Sequence, residues 1–139
     1  MKKVLLITFA CMTLLACNNQ EKATEKGAIF LSEFDTPYGA PPFDQITVED
    51  YVPAFEAGMA QQVEEIDAIV NNPDAPTFEN TILALDNSGA VLDRVSSVFY
   101  GLEGTDTNEE MQQIKAEMSP KLTAHGDNIS LNEKLFGRI

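Results

Sequence analysis

One histidine, two cysteines and no tryptophan occur among 139 residues, and nine basic side chains face 22 acidic ones. Each scarcity excludes a class of chemistry. A zinc-protease helix needs two histidines at i and i+4 beside a glutamate, so His125, the only histidine, builds no such site within this chain. A formal net charge of −13 repels phosphate backbones and makes nucleic acid a poor partner. There is no phosphate-binding glycine loop. His125, a serine and Asp127 have the residue types of a hydrolytic triad, yet nothing marks a nucleophile elbow. Asp106, Asn108, Glu110 and Glu117 fall at positions one, three, five and twelve of a calcium loop, but Met111 stands at position six, where the sharp turn demands glycine. The pairs Glu64–Glu65 and Glu109–Glu110 fall on expected solvent faces and make poor acid–base partners. The residues present give no catalytic set, no metal site and no cofactor site.

What is present begins with an export signal. Lys2 and Lys3 precede an apolar run from Val4 to Leu15, too short for a stable membrane anchor, and Leu14-Leu15-Ala16-Cys17 follows. Residues 1–16 therefore read as a signal peptide. "LLAC" has the form of a bacterial lipobox, in which Cys17 is acylated and becomes the new N-terminus; an ordinary signal cut nearby is the plainer alternative. Cys11 would leave with the signal and Cys17 would carry lipid, so a cysteine-built metal or redox site is excluded. Cleavage also removes two of the nine basic residues, which leaves seven and lowers the net charge by two to −15. The polypeptide then has no electrostatic grip on anionic lipid, and membrane attachment falls to the acyl chains on Cys17. Asn18 offers no aspartate-type retention signal, which points to the outer membrane, facing the periplasm. Residues 17–27 form the lipidated cysteine and a polar tether.

Residues 28–139 make the folded part, and its patterning is all-α. Residues 28–46 hold Pro37, Pro41 and Pro42, which oppose a long helix and predict an extended segment. Its Phe30, Phe34, Tyr38 and Phe43 suggest a strap over an apolar surface. Thr47-Val48-Glu49-Asp50 has the form of a helix start. Val52, Phe55, Met59, Val63, Ile66 and Val70 then recur at helical spacing up to Asn71-Asn72-Pro73. Pro76 and Thr77 open a second helix, with Thr77 as cap, and Phe78, Ile82, Leu85, Leu92, Val95, Phe99 and Leu102 form its stripe. Gly89 lies in that stripe and marks either close approach of a neighbour or a local break at Asn87-Ser88-Gly89. Unbroken, this helix would run about 40 Å. Thr107-Asn108-Glu109-Glu110 reads as the capping box of a third helix carrying Met111, Ile114, Met118 and Leu122, bent at Pro120. His125 is expected near its end, partly buried or capping the C-terminus. Asn132 reads as a further cap, before Leu135, Phe136 and Ile139. The pattern predicts long helices in antiparallel succession, truncated at the C-terminus within an apolar run.

In order, "TPYGAPPFDQI", "YVPAFEAGMAQQVEEIDAIVNNPDAPTFENTILALDNSGAVLDRVSSVF", "TDTNEEMQQI" and "SPKLTAHGDNISLNEKLFGRI" resemble the N-terminal region of the thimet-oligopeptidase-type zinc metallopeptidases. The nearest likeness is to the peptidyl-dipeptidase (dipeptidyl carboxypeptidase) branch, and it covers about residues 28 to 139. The resemblance implies a largely helical enzyme whose two halves enclose a channel. It implies a zinc site, an H-E-x-x-H helix with a further glutamate, in the other half, so no catalytic or metal position carries over to this chain and no zinc is expected here. It implies short peptides as substrates of the parent enzyme, cleaved to release dipeptides from free C-termini, with this region forming wall and cover. A self-contained helical lipoprotein, acting as a binding or scaffold module, is the competing expectation.

Overall fold

The computed structural model describes residues 26–139; the expected signal peptide, Cys17 and the expected tether up to residue 25 lie outside the described residues. The chain folds as helices α1 Tyr51–Val70, α2 Ala84–Asp86, α3 Ala90–Glu103, α4 Glu109–Ser130 and α5 Glu133–Phe136. Single 3-10 turns cover Ala28–Phe30, Pro37–Gly39 and Val48–Asp50, and a wider π-type segment, Phe78–Leu83, leads into α2. No β-strand occurs among the described residues, and the fold is all-α. No helix among them is long and apolar enough to cross a membrane.

Helix α1 is the spine. Its start is fixed by Asp50, whose carboxylate accepts from the Thr47 backbone N–H at 2.8 Å, the Thr47 hydroxyl at 2.7 Å and the Gly27 N–H at 2.9 Å. Lys26 pairs with Glu49, so the last residues before the strap are already tied to the helix start. Burial pushes the Asp50 carboxyl up, but those hydrogen bonds and nearby Lys26 outweigh it and leave it below the ordinary aspartate value. A depressed folded value means a stabilisation that is full above the unfolded value, about 3.9, and is lost as pH falls through the folded one. Asp50→Asn should therefore cost about 0.5–2 kcal/mol at neutral pH and little at pH ~2, which urea unfolding at the two pH values will show.

From this start α1 buries Tyr51, Ala54, Phe55, Gly58, Ile66 and Ile69. That stripe is rotated from the one read from hydropathy: Val63 is 47% exposed, while Val52, Met59 and Val70 are only half-buried. The reason is Gly58. A Cβ there would stand 2.9 Å from the Leu92 backbone nitrogen, so the α1–α3 contact is backbone against backbone and centres on small residues. Tyr51 and Phe55 meet Phe99, whereas Gly58 meets Leu92 and Gly89 meets Gln62. The contact therefore descends α3 as it climbs α1.

The second expected helix is divided. Thr77 caps as read, its hydroxyl accepting from the Asn80 N–H at 3.1 Å while the Asn80 side chain accepts from the Thr77 N–H at 2.8 Å. Gly89, however, adopts φ 81°, and α3 starts anew after it, so the break at Asn87-Ser88-Gly89 is real and the 40 Å rod is not. Phe78 and Ile82 are also not core residues, being 64% and 37% exposed. A continuous stripe had placed them with Leu92 and Val95; the break turns their segment away from that line.

Helix α4 is capped by Asn108, whose side chain accepts from the Met111 N–H at 2.9 Å; Thr107 stands one residue outside the cap. The helix contains Pro120 and continues past His125 to Ser130. Packing explains the extension: Met118 is buried in the main core, with Leu122 against it, and Ile129 packs on a second cluster, offsetting the roughly 1 kcal/mol cost of Gly126 within the helix. Asn132 caps α5 as read, accepting from Lys134 and Leu135 N–H.

The strap is anchored at its two ends, with Ile46 packed on the main core at the far one, and is loose between them. Phe30 is fully buried and Phe34 packs edge-on to it at 6.0 Å, while Arg94 donates to the Phe30 carbonyl at 2.7 Å and lies over the Phe34 ring. Tyr38 is fully exposed and Phe43 is 56% exposed, so these two do not join the packing expected of them. Pro37 fixes its own φ, and Tyr38 at φ 63° with Gly39 at φ 66° turns the chain outward.

Candidate functional site

A cluster of half-buried polar side chains lies where three helical elements meet. Gln62 projects from α1 toward α4, and its Oε1 accepts from His125 Nε2 at 2.8 Å. Its Nε2 lies 3.4 Å from Ser88 Oγ, and that hydroxyl donates to the Leu85 carbonyl at 2.8 Å. One turn further along α1, Glu65 accepts from the Gly89 N–H at 2.7 Å. Glycine is favoured at position 89: its positive φ strains any side chain, and a Cβ would force the Gln62 amide to move.

Beside this cluster is an open cleft of about 380 Å³, lined by Glu65, Asn72, Asn80 and Ser88 over an apolar floor that includes Ile69 and Ala84. Its far wall is the 71–77 connector, held by Arg138. The guanidinium donates to the Asn72 carbonyl at 2.9 Å, the Asp74 carbonyl at 3.3 Å and Asn80 Oδ1 at 3.4 Å. Arg138 Nε is buried without a partner.

The hydrogen bonds of this cluster tie α1, the break before α3 and α4 together. A general base of the hydrolytic kind needs a nucleophile within reach and an orienting carboxylate. The hydrogen bond of the His125 ring goes to an amide, not to Asp127 or a serine. Burial pushes the imidazole down from its ordinary value, which favours its neutral form. His125 sits well before the end of α4, which settles its two expected roles in favour of partial burial over C-capping. The calcium-loop positions do not gather either: Asn108 serves as a helix cap, and Glu110 and Glu117 lie along α4. Among the described residues, no group of three or more histidine, cysteine, aspartate or glutamate side chains is placed to hold a metal ion.

Glu65, expected on a solvent face, instead turns inward to the Gly89 N–H, because the break before α3 leaves that donor free of the helix ladder. Gln62 carried no signal in the sequence, whereas Ser88 and Gly89 were marked by the possible break and His125 by its expected partial burial.

No known family profile matches the chain. Two curated proteins do match it. The dipeptidyl carboxypeptidase of Salmonella typhimurium is 48% identical over 103 residues, which are 74% of this chain and 15% of that protein. The dipeptidyl carboxypeptidase of Escherichia coli is 46% identical over 110 residues, 79% of this chain and 16% of that protein. The chain spans about a sixth of the length of the curated relatives it matches. Over about three quarters of its own length, then, this chain is similar to the dipeptidyl carboxypeptidases, and is a region related to peptidases.

Proposed function

We propose that this chain is the non-catalytic, N-terminal helical part of a lipid-anchored zinc metallopeptidase of the thimet-oligopeptidase type, in its dipeptidyl carboxypeptidase branch. The observation that carries the reading is identity of 46–48% to two dipeptidyl carboxypeptidases across most of the folded residues. The parent enzyme hydrolyses short peptides and releases dipeptides from their free C-termini. This region is wall and cover, restricting entry to the site. Export and acylation at Cys17 hold it on the cell envelope, at the outer membrane facing the periplasm.

The zinc of such an enzyme finds no donor set among the described residues. His125 is the single histidine, its Nε2 is engaged by Gln62, and no acidic cluster surrounds it. No step of hydrolysis passes through residues of this chain. What they contribute is a helical body with a large aromatic core, fixed by Tyr51, Phe55 and Phe99.

The coding frame beyond Ile139 tests the reading. We expect several hundred further residues that include an H-E-x-x-H helix. A stop codon at that point, or a long extension without the motif, contradicts it and favours a self-contained helical lipoprotein.

A further inference from the structure

The interior is divided in two, and the polar cluster is the divider. The main core holds nine buried residues, among them Phe30, Phe55, Phe99 and Met118. A separate distal cluster holds three, Ile66, Ile69 and Leu135. Between them, at one level, stand Gln62 and Glu65 on α1, Ser88 and Gly89 at the break, and His125 on α4. On each of these elements apolar packing resumes on the far side, at Ile66, Leu85 and Ile129. Three helical elements change from one core to the other at the same height, and a belt of hydrogen bonds takes the place of apolar contact there.

We propose that the part beyond this belt, comprising the end of α1, the Phe78–Leu83 segment with α2, the end of α4 and α5, opens as one cooperative unit while the main core stays folded. This does not rest on the peptidase reading. Burial decides which side opens: three buried apolar residues cannot match nine, and the distal part leaves Phe78, Leu131 and Phe136 between 64% and 80% exposed. Its only cationic clamp, among the described residues, is Arg138, which spans the connector and has one buried donor unpaired. Elements with few buried contacts occupy the low end of a protein's local-opening scale. The belt sets the boundary because its bonds, unlike apolar packing, can be replaced by water when the distal side departs. The cleft lined by Glu65, Asn80 and Ser88 lies on the opening side, so the opening reshapes it.

Hydrogen–deuterium exchange of the full chain, followed by mass spectrometry, tests this. Amides of residues 66–70, 81–87 and 129–136 should exchange at one common rate, at least ~10-fold faster than those of 54–58, 91–99 and 111–118. Gln62→Leu, which removes the belt's bonds to His125 and Ser88 without opening space, should accelerate the first set by a further ~10-fold and leave the second unchanged. Exchange confined to 129–136 with 66–70 fully protected would be fraying of one helix end and would overturn the proposal. So would a Gln62→Leu protein in which both sets accelerate together.

Discussion

Replacing Phe99 by alanine should cost about 3–5 kcal/mol of folding stability. Phe99 is fully buried and is the ring on which the aromatic core converges. Tyr51 packs edge-on to it at 5.0 Å, Phe55 at 5.4 Å and Tyr100 at 5.2 Å. Truncation loses the transfer free energy of the ring and leaves a cavity between α1 and α3, which their shared close approach prevents from collapsing. Loss of the edge-to-face pairs adds to this. Small domains hold about 5–15 kcal/mol in total, so Phe99→Ala should unfold at markedly lower urea with an unchanged slope. Phe78→Ala is the control. At 64% exposure it should change stability by less than about 0.5 kcal/mol, although hydropathy puts both residues on one stripe.

Gly58→Val should cost about 2–3 kcal/mol, through overpacking and not through lost contact. A first side-chain carbon at Gly58 would lie 2.9 Å from the Leu92 nitrogen and 3.0 Å from its Cα. Both are backbone atoms, so relief requires the two longest-contacting helices to move apart. Gly101→Ala is the opposite case: nothing lies within 4 Å of a Cβ there, and α3 should gain about 0.5–1 kcal/mol from the lost unfolded-state freedom. Thermal melts of the two variants should therefore shift in opposite directions. A Gly58→Val protein as stable as the parent would show that α1 and α3 do not pack as described.

Features encoded within a few residues were legible. Thr77 and Asn132 cap helices because their side chains reach backbone only two or three residues ahead. Features encoded by contact were not. The rotation of the α1 stripe depends on Gly58, which carries no hydropathy signal and matters only because Leu92 faces it. The exposure of Phe78 follows from a break eleven residues away, at Gly89, whose backbone geometry is held by Glu65 across the interface. His125 illustrates the limit for the candidate site. Its partial burial was expected, yet its partner is an amide 63 positions earlier, which no local pattern indicates.

The account's central claim is that this chain supplies structure and no chemistry to a peptidase. Dipeptide release from a short peptide with a free C-terminus, measured for the purified chain with zinc present, tests it most directly. The account predicts no release above the rate without protein. Dipeptide release that copurifies with the chain and disappears in a His125→Gln variant would contradict it.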